Sequence, residues 1–206
     1  MIGTLRSFNT PRAAVAALRD LAVIAALAAG LGGCAVAVGA GAVGGVAAME
    51  ERGIDGAAKD FKVEALIMEQ WINFDLDLPA SVGVEVYEGR VLLTGSVADP
   101  QKRADAVRLA WKVGDVKEVI NEIQVTADSG IVDFTRDSWI TTQLKYKLTI
   151  DEEVLAINYA IETVNSVIYL IGIAQDQQEL DRVIAQGRNI PYVRNIISHV
   201  RVKDGK

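Results

Sequence analysis

From about residue 57 onward the apolar residues follow two alternating rhythms. Val63, Leu66, Ile67, Trp71 and Phe74 recur at three-, four- and seven-residue spacing, which predicts one stripe of an amphipathic helix. Val82, Val84 and Val86 then alternate with Gly83, Glu85 and Tyr87. Glu88-Gly89 turns the chain, and Val91, Leu93 and Gly95 continue the inward face, so a β-hairpin is predicted. Asp99-Pro100 is an N-cap followed by proline in the first turn, and Ala104, Val107 and Trp111 supply the stripe of a second helix that Gly114 ends. Val119, Asn121, Ile123 and Val125 close the unit as a third strand.

The unit occurs twice. Val91-Leu92-Leu93-Thr94-Gly95 lies over Ile168-Tyr169-Leu170-Ile171-Gly172 at an offset of 77, which also carries Asp99 onto Asp176 and Val125 onto Val202. Upstream, Gln70-Trp71 matches Gln143-Leu144 at an offset of 73, which predicts four extra residues in the second copy near Thr149 to Val154. That copy has Ile140, Leu144 and Leu148 on its first helix and a hairpin from Ile157 to Ile161 and Ile168 to Ile173. Asp176-Gln177-Gln178-Glu179 opens the second helix as a capping box, and its stripe is Leu180, Val183, Ile184 and Gly187. Pro191 stops helix, and Val193 to Val202 is the last strand. The fold class is α+β: two tandem αββαβ units, each a small three-stranded mixed sheet with two helices on one face.

Parity places Leu92, Thr94, Ser96, Ile120, Glu122 and Gln124 on the outer face of the first sheet. Tyr169, Ile171, Ile173, Ile197, His199 and Arg201 take those positions on the second. The second face is the more apolar, and a patch of this kind is expected to be covered by the other copy or by a partner.

Upstream of the repeats the chain is organised for export. Arg6, Arg12 and Arg19 precede an uncharged run of 13 residues, Leu21 to Gly33, too short for the about 20 needed to span a bilayer. The run ends in Leu31-Gly32-Gly33-Cys34, which resembles a bacterial lipobox: residues 1–33 would be removed and Cys34 would carry diacylglyceryl and N-acyl groups such as palmitate. Ala35 rather than Asp after the cysteine is similar to the sorting pattern for the outer membrane. The alternative is a transmembrane anchor, since no charge falls between Asp20 and Glu50. Residues 34–56 read as an Ala/Gly-rich tether. Its Gly39-Ala40-Gly41-Ala42-Val43-Gly44 matches a dinucleotide-binding fingerprint in letters but has no strand before it and no helix after.

Val91-Leu92-Leu93-Thr94-Gly95-Ser96-Val97, the capped helix after it and the strand Val116 to Val125, all met again in the second copy, resemble the BON domain of bacterial envelope proteins. With the lipobox the chain is similar to dual-BON outer-membrane lipoproteins of Gram-negative bacteria, and Asp137-Ser138-Trp139-Ile140-Thr141-Thr142-Gln143-Leu144 is similar to the start of their second domain. The resemblance implies domains at 57–127 and 135–204 joined by a linker at 128–134. It further implies a non-enzymatic, periplasm-facing protein that binds phospholipid and supports envelope integrity. A protein- or peptidoglycan-binding scaffold, with lipid only as its anchor, is the rival.

Composition narrows the chemistry. With 21 Lys+Arg against 27 Asp+Glu, a net charge of −6 and no long basic run, the chain lacks the footprint of a nucleic-acid binder. One Cys and one His leave no disulfide framework, no zinc site and no Cys/His catalytic pair. Asp75 with Asp77, and Asp151 with Glu152 and Glu153, fall between a helix and a strand; they read as loop carboxylates rather than glycosidase or calcium ligands. His199 has outward parity and could titrate at an interface. No catalytic residue, metal site or small-molecule substrate is expected; the partners expected are anionic phospholipid and an envelope protein.

The candidate lipid contact lies on the helix from about Asp137 to Leu148. With Ile140 at zero, Leu144 and Leu148 fall at about 40° and 80°, toward the core, while Trp139 and Tyr146 fall at about 260° and 240°. Two amphipathic rings sharing the outward stripe suit a membrane interface, and Arg136, Lys145 and Lys147 beside them outnumber Asp137. The alternative is that Trp139 staples the helix start or packs on the first domain. The helix from Asp99 to Lys112 is equally basic, but its Trp111 is assigned to the core.

Overall fold

The computed structural model describes residues 49–126 and 131–203. The expected export signal, Cys34 and most of the expected tether lie outside the described residues. The elements of the first copy are α1 (Gly53–Phe74), α2 (Leu78–Ser81), β1 (Val82–Tyr87), β2 (Arg90–Val97), α3 (Pro100–Ala110), β3 (Glu118–Asn121) and β4 (Gln124–Val125). Those of the second are α4 (Ile131–Thr149), a 3-10 turn at Ala156–Asn158, β5 (Tyr159–Val164), β6 (Val167–Ala174), α5 (Gln177–Arg188) and β7 (Asn195–Val202). Two predicted boundaries shift. The stretch read as a linker is helical from Ile131 on, and α1 begins at Gly53, within the stretch read as tether.

Each sheet has its second strand at the centre. β1 pairs antiparallel with β2, from Val82 opposite Gly95 to Tyr87 opposite Arg90, and β5 pairs with β6 in the same register, from Tyr159 opposite Gly172 to Val164 opposite Val167. The strand after the crossover helix joins parallel: β7 runs unbroken beside β6, whereas in the first copy Glu122 and Ile123 interrupt it, leaving β3 and β4. Asn121 causes the break by accepting the Ile123 N–H on its Oδ1 at 3.2 Å. Gly95 (φ +120°) and Gly172 (φ +149°) hold a conformation suited to glycine, and a Cβ at either would strike the carbonyl oxygen of Ser81 or Asn158.

The helices cover one face. Val63, Ile67 and Trp71 of α1 pack on Val84, Val91 and Leu93, and the Trp71 indole N–H donates to the Ala106 carbonyl at 3.2 Å. Ile140, Leu144 and Leu148 do the same for Ile161, Ile168 and Leu170. The second helix of the first copy departs from its predicted stripe. Ala104 is exposed, the buried face is Ala106, Leu109 and Ala110, and Trp111 is 52% exposed. With Ala106 at zero, Leu109 and Ala110 fall at about 300° and 40° but Trp111 at about 140°, so the helical phase turns Trp111 away from the sheet, and two alanines let α3 lie close to it. Phe74, at the last position of α1, is likewise exposed. In α5 the predicted face is the buried one, and Asp176 caps it by accepting the Glu179 N–H at 2.8 Å. Glu179 reaches the N–H groups of Gln175 and Leu155 rather than that of Asp176.

The structure removes the predicted four-residue insertion. Buried Asp60 accepts the N–H groups of Glu88 and Gly89 at 2.7 and 2.8 Å; buried Asp137 accepts those of Asn165 and Ser166 at 2.6 and 2.8 Å. In both hairpins the two turn residues have positive φ, the geometry of a type I′ turn. Asp60 and Asp137 are therefore equivalent, and so are Val63, Ile67 and Trp71 with Ile140, Leu144 and Leu148, at the offset of 77 that holds elsewhere. A slip of four residues turns a helix only about 40° beyond a full turn, so the apolar stripe alone does not distinguish 73 from 77.

Both copies fall within one compact unit. Their sheets meet through the faces away from the helices, where Tyr87, Leu92, Tyr169, Ile171 and Ile173 form a third buried cluster joined by Ile120 and Ile197. The apolar outer face of the second sheet is thus covered by the first copy. Arg90 donates to the His199 carbonyl at 2.8 Å, Gln124 to the Tyr169 hydroxyl at 3.1 Å, and Asn165 to the Gln124 Oε1 at 2.7 Å. His199 Nε2 lies 2.8 Å from Glu122 Oε1. Residues 50–52, expected as tether, tie into both copies. The Glu51 N–H donates to Asn158 Oδ1 at 2.9 Å and its carboxylate pairs with Lys203, while Arg52 donates to Asp60 and to the Val86 carbonyl, each at 2.9 Å.

Candidate functional site

Helix α4 buries Asp137, Ile140, Leu144 and Leu148 and turns its other side to solvent. Trp139 is 42% exposed and Tyr146 62%, on the stripe opposite the core. The partner of Trp139 is Tyr192, whose ring meets the indole edge-on at a centroid separation of 6.3 Å and an angle of 68°. The Arg136 guanidinium stands 5.7 Å from the centre of the Tyr192 ring. These three residues and Thr135 line one shallow groove.

The sequence reading did not include Tyr192. It follows Pro191 in the loop after α5, is 68% exposed, and has φ +71°, a left-handed conformation unfavourable for a bulky side chain. Its counterpart in the first copy, Asp115 at φ +68°, is of a type that tolerates this region. A tyrosine standing exposed where the repeat has aspartate was the available signal.

The predicted basic residues do not all gather at the groove. Arg136 does. Lys145 is exposed but lies close enough to the Glu85 and Glu162 side chains at the domain boundary to act on them electrostatically, and Lys147 is half-buried. Asp137 is occupied with the hairpin turn, so it no longer offsets the basic residues as an exposed charge. In the first copy the positions of Arg136, Trp139 and Tyr192 hold Lys59, Lys62 and Asp115, and the corresponding groove is lined by charged groups including Arg52, Lys59, Asp60 and Lys117.

The first copy exposes aromatic side chains of its own elsewhere. Phe74 and Trp111 are each 52% exposed, and Arg108 lies 5.4 Å from the centre of the Phe74 ring. The loop carboxylates are engaged. The Asp77 N–H and Lys102 hold Asp75 below the usual carboxylate range, and Arg182 pairs with Asp151 and Glu153. No helix among the described residues is long and apolar enough to cross a membrane.

Compared with known families, residues 60–127 match the BON domain, and residues 136–204 match it again. The chain belongs to the BON-domain family. Its two BON domains are the two copies described above. A protein encoded in the gshII 5′ region of Anaplasma centrale is 44% identical over 128 residues, which are 62% of this chain and 85% of that one. The outer membrane lipoprotein DolP of Haemophilus influenzae is 32% identical over 91% of this chain and 97% of its own length. The 21 kDa hemolysin of Actinobacillus pleuropneumoniae is 30% identical over 71% of this chain and 78% of that protein.

Proposed function

We propose that the chain is a non-enzymatic outer-membrane lipoprotein, held on the periplasmic face by acyl groups on Cys34, that binds anionic phospholipid through its second BON domain and supports envelope integrity. The observation that carries the reading is the exposed cluster of Trp139, Tyr192 and Arg136. Two amphipathic rings in contact and a guanidinium beside them match the boundary between acyl chains and phosphate groups. Tyr146 extends the aromatic stripe two turns along α4, and Arg136 supplies the positive charge at the groove, a basic group near an anionic surface contributing about 1 kcal/mol. The similarity to an outer membrane lipoprotein over 91% of the chain supports the anchored location and the lipobox reading of Cys34.

A second reading rests on the first domain, where Phe74, Trp111 and Arg108 offer a different exposed aromatic and basic surface, suited to an envelope protein in the scaffold alternative. Flotation with anionic vesicles separates the two, using a chain that begins at Glu50 and so lacks the acyl anchor. Trp139→Glu is expected to reduce vesicle binding at least about tenfold with an unchanged far-UV spectrum and melting temperature, and Trp111→Glu to leave it intact. Loss through Trp111→Glu alone, or no flotation of the parent chain, overturns the assignment to the second domain.

A further inference from the structure

Glu85 on β1 and Glu162 on β5 occupy equivalent positions of the two domains, 77 residues apart. Each sits across its hairpin from a residue of the buried inter-domain cluster, Glu85 opposite Leu92 and Glu162 opposite Tyr169, so both side chains leave the sheet on the face the domains share. The two carboxyl groups are half-buried and near enough for the charge of Glu162 to act on Glu85. Two carboxylates have only acceptors, so a hydrogen bond between them forms only while one carries a proton as donor.

We propose that Glu85 and Glu162 form a proton-operated latch between the two BON domains, closed while they share a proton and loosened when both ionise. The surroundings favour the shared proton. Burial is the largest influence on Glu85, pushing it up to about 8, and the charges of Glu162 and of Glu64 on α1 act in the same direction. Glu162 is also raised, chiefly by burial. Lys145 on α4 is the cation acting on both, and it opposes the shift; Arg52 acts on Glu64. The other titratable pair across the boundary, Glu122 and His199, involves β7 and the residue after β3.

The sign follows from the raised value. A solvated glutamate ionises near 4.5, so the closed boundary is favoured most below that pH; its advantage drains away as pH rises toward about 8 and is gone once both groups are charged. What opens is the apolar cluster of Tyr87, Leu92, Tyr169, Ile171 and Ile173.

The test uses the full acylated chain in neutral detergent at pH 6 and pH 9, reading melting temperature and hydrogen exchange of β5 corrected for intrinsic rates. The wild-type protein is expected to lose at least about 4 °C and about tenfold of β5 protection between these pH values. Glu85→Gln, which stays neutral and can still donate, should cut both losses by more than half, while His199→Gln leaves them in place. Equal losses in wild type and Glu85→Gln, or losses abolished by His199→Gln, overturn the latch. Should Glu85→Gln fail to fold, Glu162→Gln is read by the same criteria.

Discussion

The two BON domains are one design with two surfaces. Both hold the hairpin turn with a buried aspartate on the first helix, Asp60 or Asp137, and both place a glycine where the central strand passes the preceding segment, Gly95 or Gly172. Both start the second helix with an aspartate cap, Asp99 or Asp176. They part at the groove between the first helix and the loop before the last strand, where the first domain has Lys59, Lys62 and Asp115 and the second has Arg136, Trp139 and Tyr192. The duplicated positions that satisfy backbone groups have stayed alike, while those facing solvent at the same place have taken different chemistry.

The strongest way to break the comparison is at the shared glycines. Gly172→Ala would push a Cβ into the Asn158 carbonyl oxygen, and a cost of about 4 kcal/mol or more is expected in urea unfolding, with Gly95→Ala similar. Next come the aspartates. Asp137→Ala strands two N–H groups of the Asn165-Ser166 turn, which costs about 2–4 kcal/mol, and Asp60→Ala should match it unless loss of the Arg52 ion pair adds to the effect. Equivalent roles would be disproved by a cost below about 0.5 kcal/mol for either one.

The smallest stability effect belongs to the diverged groove. Tyr192→Gly removes a side chain from a left-handed residue, so stability should hold or rise by up to about 1 kcal/mol. Vesicle binding by the chain beginning at Glu50 should nevertheless fall several-fold, because Trp139 loses its ring partner. A large loss of stability with binding retained would make Tyr192 a structural residue instead.

The order of elements, the duplication and the burial of the second outer face were all legible, because strand alternation and caps are local signals that recur at one offset. Register along the first helix was not. Its stripe looks nearly the same after a shift of one turn, and the residue that fixes it, Asp60 or Asp137, bonds to a turn 28 residues downstream. Trp111 misled for a related reason: Ala104, Val107 and Trp111 keep helical spacing, but the face that packs is that of Ala106, Leu109 and Ala110. Of the candidate site, Trp139, Tyr146 and Arg136 were visible as a helical face. Tyr192 was not, since it comes from a loop that only the folded chain brings beside Trp139.

Residues 50–52 join the incoming chain to both domains at once. The chain arriving from the cysteine side meets the folded body at Glu51 and Arg52, the first bonded to the second domain through Asn158 and Lys203 and the next to the first domain through Asp60 and Val86. If the chain is anchored as proposed, tension arriving from the membrane would first meet the seam between these two adjacent residues. Once the Glu51 contacts to the second domain give way, the whole load passes to the first domain through α1.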